Sequence, residues 1–255
     1  MPASDSTPLS GTSALVTGAS RGFGRATAAA LVQAGATVAG VARDGGQLAE
    51  VRELLGPRFV PVVADAADPV SAARLLDQFR PSVLILNAGA SPLARPLHRQ
   101  TWESFSRNWA VDVQQVFHWT REALLAPLHP GSVVVAFSSG AARHGSPLSG
   151  GYAGAKATIR FIAAYAAGES QRAGLGIRFT AVLPDLTPAT GLGAAAVAAY
   201  AARQGVDTAT FLAARGPALE ADQVGKAITE LVTDPALDGP AYELTAAGLT
   251  PLTGS

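Results

Sequence analysis

Short runs of β-branched and apolar residues alternate along the chain with longer stretches of helical periodicity. Ser13–Thr17, Thr37–Ala42, Phe59–Val63, Ser82–Leu86, Ser132–Phe137, Ile177–Leu183 and Ala241–Leu244 read as strands. Between them, Gly24–Ala34, Gln47–Leu55, Pro69–Phe79, a long stretch from about Thr101 to Leu128, Gly151–Ala173 and Glu220–Thr233 read as helices. The Ala-rich segment Ala189–Ala214 reads as two short helices. Stop signals agree with this reading: Gly35 follows the first helix, Gly56-Pro57 the second, and Asp68-Pro69 opens the third as N-cap and first helical residue. The strand runs are nearly continuous in apolar residues, the pattern of strands covered on both faces. Strict β-α alternation predicts an α/β fold, a doubly wound parallel sheet of about seven strands in a single domain. Residues 1–10, rich in Ser, Pro and Thr, read as a flexible tail before a domain spanning 11–255.

Composition narrows the function. Hydrophobic residues make up 48% of 255, but much of this is Ala, and no run has the roughly 20 apolar residues of a membrane span. The N-terminus has no apolar segment of the signal-peptide kind. Nineteen basic residues balance nineteen acidic ones without a basic run, so neither nucleic acid nor an acidic membrane surface is an expected partner. The chain has no Cys, and its four His (His98, His118, His129, His144) lack ligand spacing, so no metal site is expected. The expected location is the cytoplasm.

In a doubly wound sheet the residues just after the strands carry the chemistry. After the first strand comes Thr17-Gly18-Ala19-Ser20-Arg21-Gly22-Phe23-Gly24. Glycines between a strand and a helix allow a tight turn and let a pyrophosphate approach the helix N-terminus. Three glycines can also serve packing alone, and the strand-turn-helix context favours the nucleotide. Further along stand Asn87-Ala88-Gly89 after the fourth strand, Ser139 after the fifth, and Tyr152-Ala153-Gly154-Ala155-Lys156 on a helix. A lone Tyr-x-x-x-Lys pair is common on helix surfaces. Here it lies on one helical face, and a neighbouring ammonium favours a phenolate that is otherwise formed only near pH 10.

Taken in order, T-G-x-x-x-G-x-G, N-A-G, Ser and Y-x-x-x-K resemble the short-chain dehydrogenase/reductase family over essentially the whole chain, from about Ser10 to Gly248. The resemblance implies hydride transfer between a nicotinamide cofactor and a carbonyl/alcohol substrate. Tyr152 would be the acid-base residue, Lys156 its activator and ribose ligand, and Ser139 the substrate anchor, with Ser138 the weaker candidate. It implies cofactor contacts from Gly18, Ser20, Arg21, Gly22, Phe23, Gly24, Arg43, Asp65, Ala66, Asn87, Ala88, Gly89, Tyr152, Lys156, Pro184 and Thr187. It also implies a homodimer or homotetramer built on the long helix and the Tyr-bearing helix, and the Ala-rich region, within 185–215, reads as the segment that covers the substrate pocket. Core or subunit packing is expected of Trp102, Trp109 and Trp119.

The end of the second strand selects the dinucleotide. An NAD-selective site places an acid there; this chain has Ala42-Arg43, and Arg43 with Arg21 can pair with a 2′-phosphate. NADP(H) is therefore expected over NAD(H), although Asp44 follows directly. The sequence departs from the family pattern twice. Asp112, twenty-seven residues before Ser139, stands where the family's proton relay has Asn, with Asn108 one turn earlier; Asp185 follows Pro184 where Gly is usual. An ionised Asp accepts hydrogen bonds but cannot donate, so Asp112 is a relay member with an altered pH response or a residue that weakens the relay. These departures keep a second reading open: an NAD(P)-binding regulator or scaffold with little turnover.

Overall fold

The computed structural model describes residues 7–252. Eight strands form one sheet: β1 (Ser13–Thr17), β2 (Thr37–Ala42), β3 (Phe59–Val63), β4 (Val83–Leu86), β5 (Val133–Phe137), β6 (Arg178–Pro184), β7 (Ala241–Thr245) and β8 (Gly248–Pro251). Their spatial order is β3-β2-β1-β4-β5-β6-β7-β8, parallel from β3 through β7. β8, which the sequence pattern does not reveal, turns back through Thr245–Gly248 and pairs antiparallel with β7. It has four residues, one of them Pro251, and is only half-buried to exposed, so no apolar run marks it.

Helices cover both faces. α1 (Gly22–Gln33), α2 (Gly45–Leu55) and α10 (Ala221–Thr233) enclose one apolar layer that includes Leu31, Leu48, Ile85 and Ile228. On the other face, α3 (Pro69–Phe79), α5 (Gln114–Leu125) and α7 (Gly150–Arg172) enclose a second, with Leu75, Leu84, Trp119 and Ile159. The central strands are buried on both faces, as their continuous apolar runs require. Edge strand β3 instead alternates, with Val63 63% exposed. α3 begins as expected: the Asp68 carboxylate accepts from Val70 N (3.2 Å) and Ser71 N (3.0 Å), with Pro69 at the first position.

The expected continuous helix from Thr101 to Leu128 is three pieces: α4 (Trp102–Ser106), a π-helical turn at Trp109–Val113, and α5. In the π turn Val113 N donates to Asn108 O at 3.3 Å. This widened turn admits one extra residue and re-aims its side chains, a device common at functional sites. A short helix α6 (Ala141–His144) precedes α7, and α8 (Gly191–Gln204) and α9 (Thr208–Ala213) are the expected pair in the Ala-rich segment. Residues 1–6 of the expected tail lie outside the described residues; Leu9 is buried in the core, and its N–H donates to Ala34 O. Among the described residues no helix is long and apolar enough to cross a membrane.

The chain fills one side of the sheet from β1 to β3 and then returns to place β4 against the opposite edge of β1. The loops leaving β1 and β4 therefore diverge, which opens the crevice where such folds bind ligands.

Candidate active site

A cavity of about 1830 Å³ lies at the carboxyl ends of the parallel strands, lined by the glycine turn, Asn87, Ser139, Tyr152 and Lys156. Pockets for single drug-sized ligands measure roughly 300–1,000 Å³, so this larger cavity has room for a dinucleotide and a second molecule.

The glycine turn is built by backbone necessity. Gly18 and Gly22 have φ of +69° and +54°, which L side chains rarely adopt. A Cβ on Gly24 would lie 2.2 Å from Gly18 O, so α1 could not pack against the turn. α1 starts after Arg21 with no side-chain cap, and Ser20, Arg21, Gly22 and Phe23 line the cavity. Uncapped N–H groups at a helix start attract an anion, so this cradle fits a pyrophosphate.

Thr17, fully buried, ties the cradle to its neighbour. Its Oγ1 accepts from Asn87 N (2.9 Å) and Ala88 N (3.1 Å), and lies 3.1 Å from Gln115 Oε1. Asn87 Nδ2 in turn donates to Thr17 O (3.2 Å) and Gly18 O (3.4 Å). The Asn87 amide thus braces the glycine turn, while Asn87, Ala88 and Gly89 all line the cavity. Asp65 and Ala66 line it after β3, where the Ala66 carbonyl is taken by Trp119 Nε1 at 2.8 Å. Trp119 is the core Trp; Trp102 and Trp109 are 77% and 41% exposed.

Arg43, at the end of β2, and Arg21, just before α1, are exposed and line the cavity together with Asp44. The Asp44 carboxylate is the N-cap of α2, accepting from Gln47 N at 3.0 Å. Thr187 Oγ1 is spent on Leu219 O at 2.5 Å, although the residue lines the cavity with Pro184.

Ser139, Tyr152, Lys156 and Asp112 all border the same cavity. The structure separates the two serines. Ser138 Oγ donates to the Lys156 carbonyl at 2.7 Å and clamps α7 to β5, whereas Ser139 Oγ accepts only from Ala141 N (3.2 Å) and keeps its proton to donate. Tyr152 and Lys156 share a face of α7, with Lys156 Nζ 5.6 Å from the Tyr152 ring centre. Lys156 is 5% exposed and donates to Phe137 O at 3.0 Å. Asp112, 1% exposed, holds Oδ2 at 3.2 Å from Lys156 Nζ. Burial by itself pushes the Lys156 ammonium down; Asp112 and then Tyr152 outweigh burial and hold it above its ordinary value.

The other end of the cavity contains groups that the sequence did not single out. Tyr200 on α8 meets Ser146 Oγ, which is also 2.7 Å from Ser149 Oγ. The Tyr200 ring stacks on Phe211 of α9, and Arg215 lies over Phe211 while pairing with Asp185 at 2.8 Å. Asp185 Oδ1 also accepts from Leu186 N at 2.7 Å. These contacts run in a belt from the end of β6, across α9 and α8, to the start of α7. No local pattern could signal it, because its members are up to 69 residues apart.

The family model for short chain dehydrogenase matches residues 12–215. Cis-4-hydroxycyclohexanecarboxylate dehydrogenase of Sinomonas cyclohexanicum is 32% identical over 234 residues, covering 88% of this chain and 90% of its own. Carbonyl reductase [NADPH] 2 of Sus scrofa (35% over 129 residues) and L-xylulose reductase of Homo sapiens (36% over 130) each match 49% of this chain. The match spans about half the length of these two relatives, 52% of each. Among solved structures, 3-ketoacyl-(acyl-carrier-protein) reductase from Brucella melitensis complexed with NADH superposes with a TM-score of 0.76 at 24% identity, over 93% of this chain and 98% of that one. With the family model covering most of the sequence and the strand-end motifs gathered in one cavity, the chain belongs to the short-chain dehydrogenase family.

Proposed function

We propose that the protein is an NADPH-dependent oxidoreductase that interconverts a carbonyl compound and an alcohol, carbonyl + NADPH + H⁺ ⇌ alcohol + NADP⁺. The observation that carries this reading is the convergence of Ser139, Tyr152 and Lys156 on the cavity that the glycine cradle also borders. A protein that only bound a dinucleotide would need no acid-base residue there.

Bound NADPH would supply the hydride. Gly18, Ser20, Gly22, Phe23 and Gly24 would hold its pyrophosphate; Asp65, Ala66, Asn87, Ala88, Gly89, Pro184 and Thr187 would border the rest of it. The Tyr152 hydroxyl gives its proton to the carbonyl oxygen as the carbon is reduced, and the Lys156 ammonium stabilises the phenolate left behind. The Ser139 hydroxyl donates to the same oxygen and fixes it beside Tyr152. Preference for NADPH is supported by Arg21 and Arg43, both exposed at the cavity, with one oxygen of the neighbouring Asp44 carboxylate taken by the N-terminus of α2. The segment 185–215 covers the substrate end, in keeping with the lining from Asp185, Leu186, Leu192, Tyr200, Phe211 and Arg215. Self-association is supported by the apolar side chains left exposed on the adjacent helices α5 and α7, where Phe117, Leu125, Phe161 and Tyr165 are 48–69% exposed.

The test is loss of nicotinamide absorbance with NADPH and NADH in parallel over ketones, aldehydes and hydroxyketones, with Tyr152→Phe as control. Turnover that prefers NADPH and vanishes in Tyr152→Phe is the expected result. Tight NADPH binding with no turnover on any carbonyl would favour a binding protein instead.

A further inference from the structure

Asp112 introduces a charge where the family pattern has a neutral amide, and the structure shows that its surroundings are built for that charge. Oδ1 accepts from Ala90 N (2.8 Å) and Asn108 Nδ2 (3.3 Å); Oδ2 faces the Lys156 ammonium (3.2 Å). Every partner is a donor. An amide would satisfy one side and set its NH₂ against a donor on the other. Asn108, 1% exposed, is held for this task, since its Nδ2 also donates to Ala90 O at 2.6 Å. The π turn brings Asp112 to this position, and Gly89 leaves it space: a Cβ there would come within 2.9 Å of Oδ2.

We infer that Asp112 is a positioning residue that sets the working pH of the Tyr152–Lys156 couple, extending carbonyl reduction to higher pH than a neutral residue at 112 would. The inference rests on the acid-base reading of Tyr152 above. Lys156 Nζ lies 5.6 Å from the Tyr152 ring centre, so the proton lost on the alkaline side is assigned to the couple and not to either residue alone. A fixed anion beside the couple makes that proton harder to remove, whichever residue gives it up. A neutral residue 112 would leave the ammonium unopposed, so either Tyr152 or Lys156 would release its proton sooner. Both routes move the limb the same way.

Few other charges compete. Asp112 and Tyr152 are the ionisable groups acting on Lys156. From β5, the Phe137 carbonyl faces Lys156. Across the cavity, Asp185 pairs with Arg215 and Arg143 pairs with Glu243, while His144 of α6 is exposed. Arg21, Arg25, Arg43, Asp44, Asp65 and Asp222 line the rest of the cavity.

The experiment measures kcat/KM against pH in both directions for wild type, Asp112→Asn and Asp112→Ser, with NADPH binding and Tm recorded for each. Serine can donate and accept, so it faces no donor with a donor and provides a second uncharged variant if the amide does not fold. The alkaline limb of reduction and the acid limb of alcohol oxidation should both move to lower pH by about one unit. Loss of structure alone would lower rates without moving both limbs together. Limbs that stay in place in a folded, NADPH-binding variant would overturn the inference. Tyr152→Phe separates the two claims: if it keeps turnover, the acid-base reading itself fails, whereas loss of turnover there with unmoved limbs in the Asp112 variants overturns this inference alone.

Discussion

Thr17→Val removes one oxygen from the centre of the site while keeping the side chain's shape. The Thr17 hydroxyl is 0% exposed and accepts from two backbone donors, Asn87 N and Ala88 N. Valine leaves both part-buried donors without this acceptor. Each unsatisfied buried group costs about 1–3 kcal/mol. The added methyl returns about 0.8 kcal/mol. A net loss of about 2–4 kcal/mol is expected from urea unfolding, with an unchanged m-value. The loop Asn87–Gly89 is then tied to the glycine turn only through the Asn87 amide, so the Kd for NADPH should rise by about tenfold, equivalent to ~1.4 kcal/mol. Thr17→Ser keeps the acceptor and should recover the cofactor affinity. A valine variant that loses less than about 0.5 kcal/mol and binds NADPH as wild type does would refute the claim that this hydroxyl joins the two loops.

Other substitutions probe separate parts of the site. Gly24→Ala would place a Cβ 2.2 Å from Gly18 O, so NADPH binding should fall at least a hundredfold by fluorescence titration while the far-UV spectrum persists. Arg43→Ala and Arg21→Ala should each weaken NADPH by about tenfold and leave NADH nearly unchanged; equal losses for both cofactors would place these side chains away from a 2′-phosphate. Tyr200→Phe deletes the hydroxyl that ties α8 to Ser146, a contact of about 1 kcal/mol. It should raise the KM for the carbonyl about fivefold with little change in kcat.

The two departures from the family pattern have different physical settings. Asp112 is buried among donors and beside an ammonium, so its charge is compensated. Asp185 is at the cavity surface, where it accepts from its neighbour's backbone and from Arg215, in a pair partly open to solvent. Screening keeps such an exposed pair weak as a source of stability. Its structural consequence is to hold Arg215, which lies over Phe211, at the cavity wall beside the end of β6.

Local rules determined much of this molecule. The β-α alternation fixed the doubly wound sheet because strands covered on both faces must be apolar along their length. The cap at Asp68-Pro69 and the glycines at 18, 22 and 24 act within a few residues, so the third helix and the glycine turn were legible in the chain. The order of motifs identified the family. The antiparallel β8 was not legible, since an edge strand of four residues needs no apolar run. The π turn was hidden too, because its widened geometry does not interrupt the helical periodicity around Asp112. The tertiary structure also decided which of two adjacent serines is free, because only the packing of β5 on α7 brings the Lys156 carbonyl to Ser138. It alone decided the partners of Asp112 and the belt from Asp185 to Ser149. Those contacts join residues distant in sequence, and short-range propensity has no term for groups that meet only after the sheet has closed the distance between them.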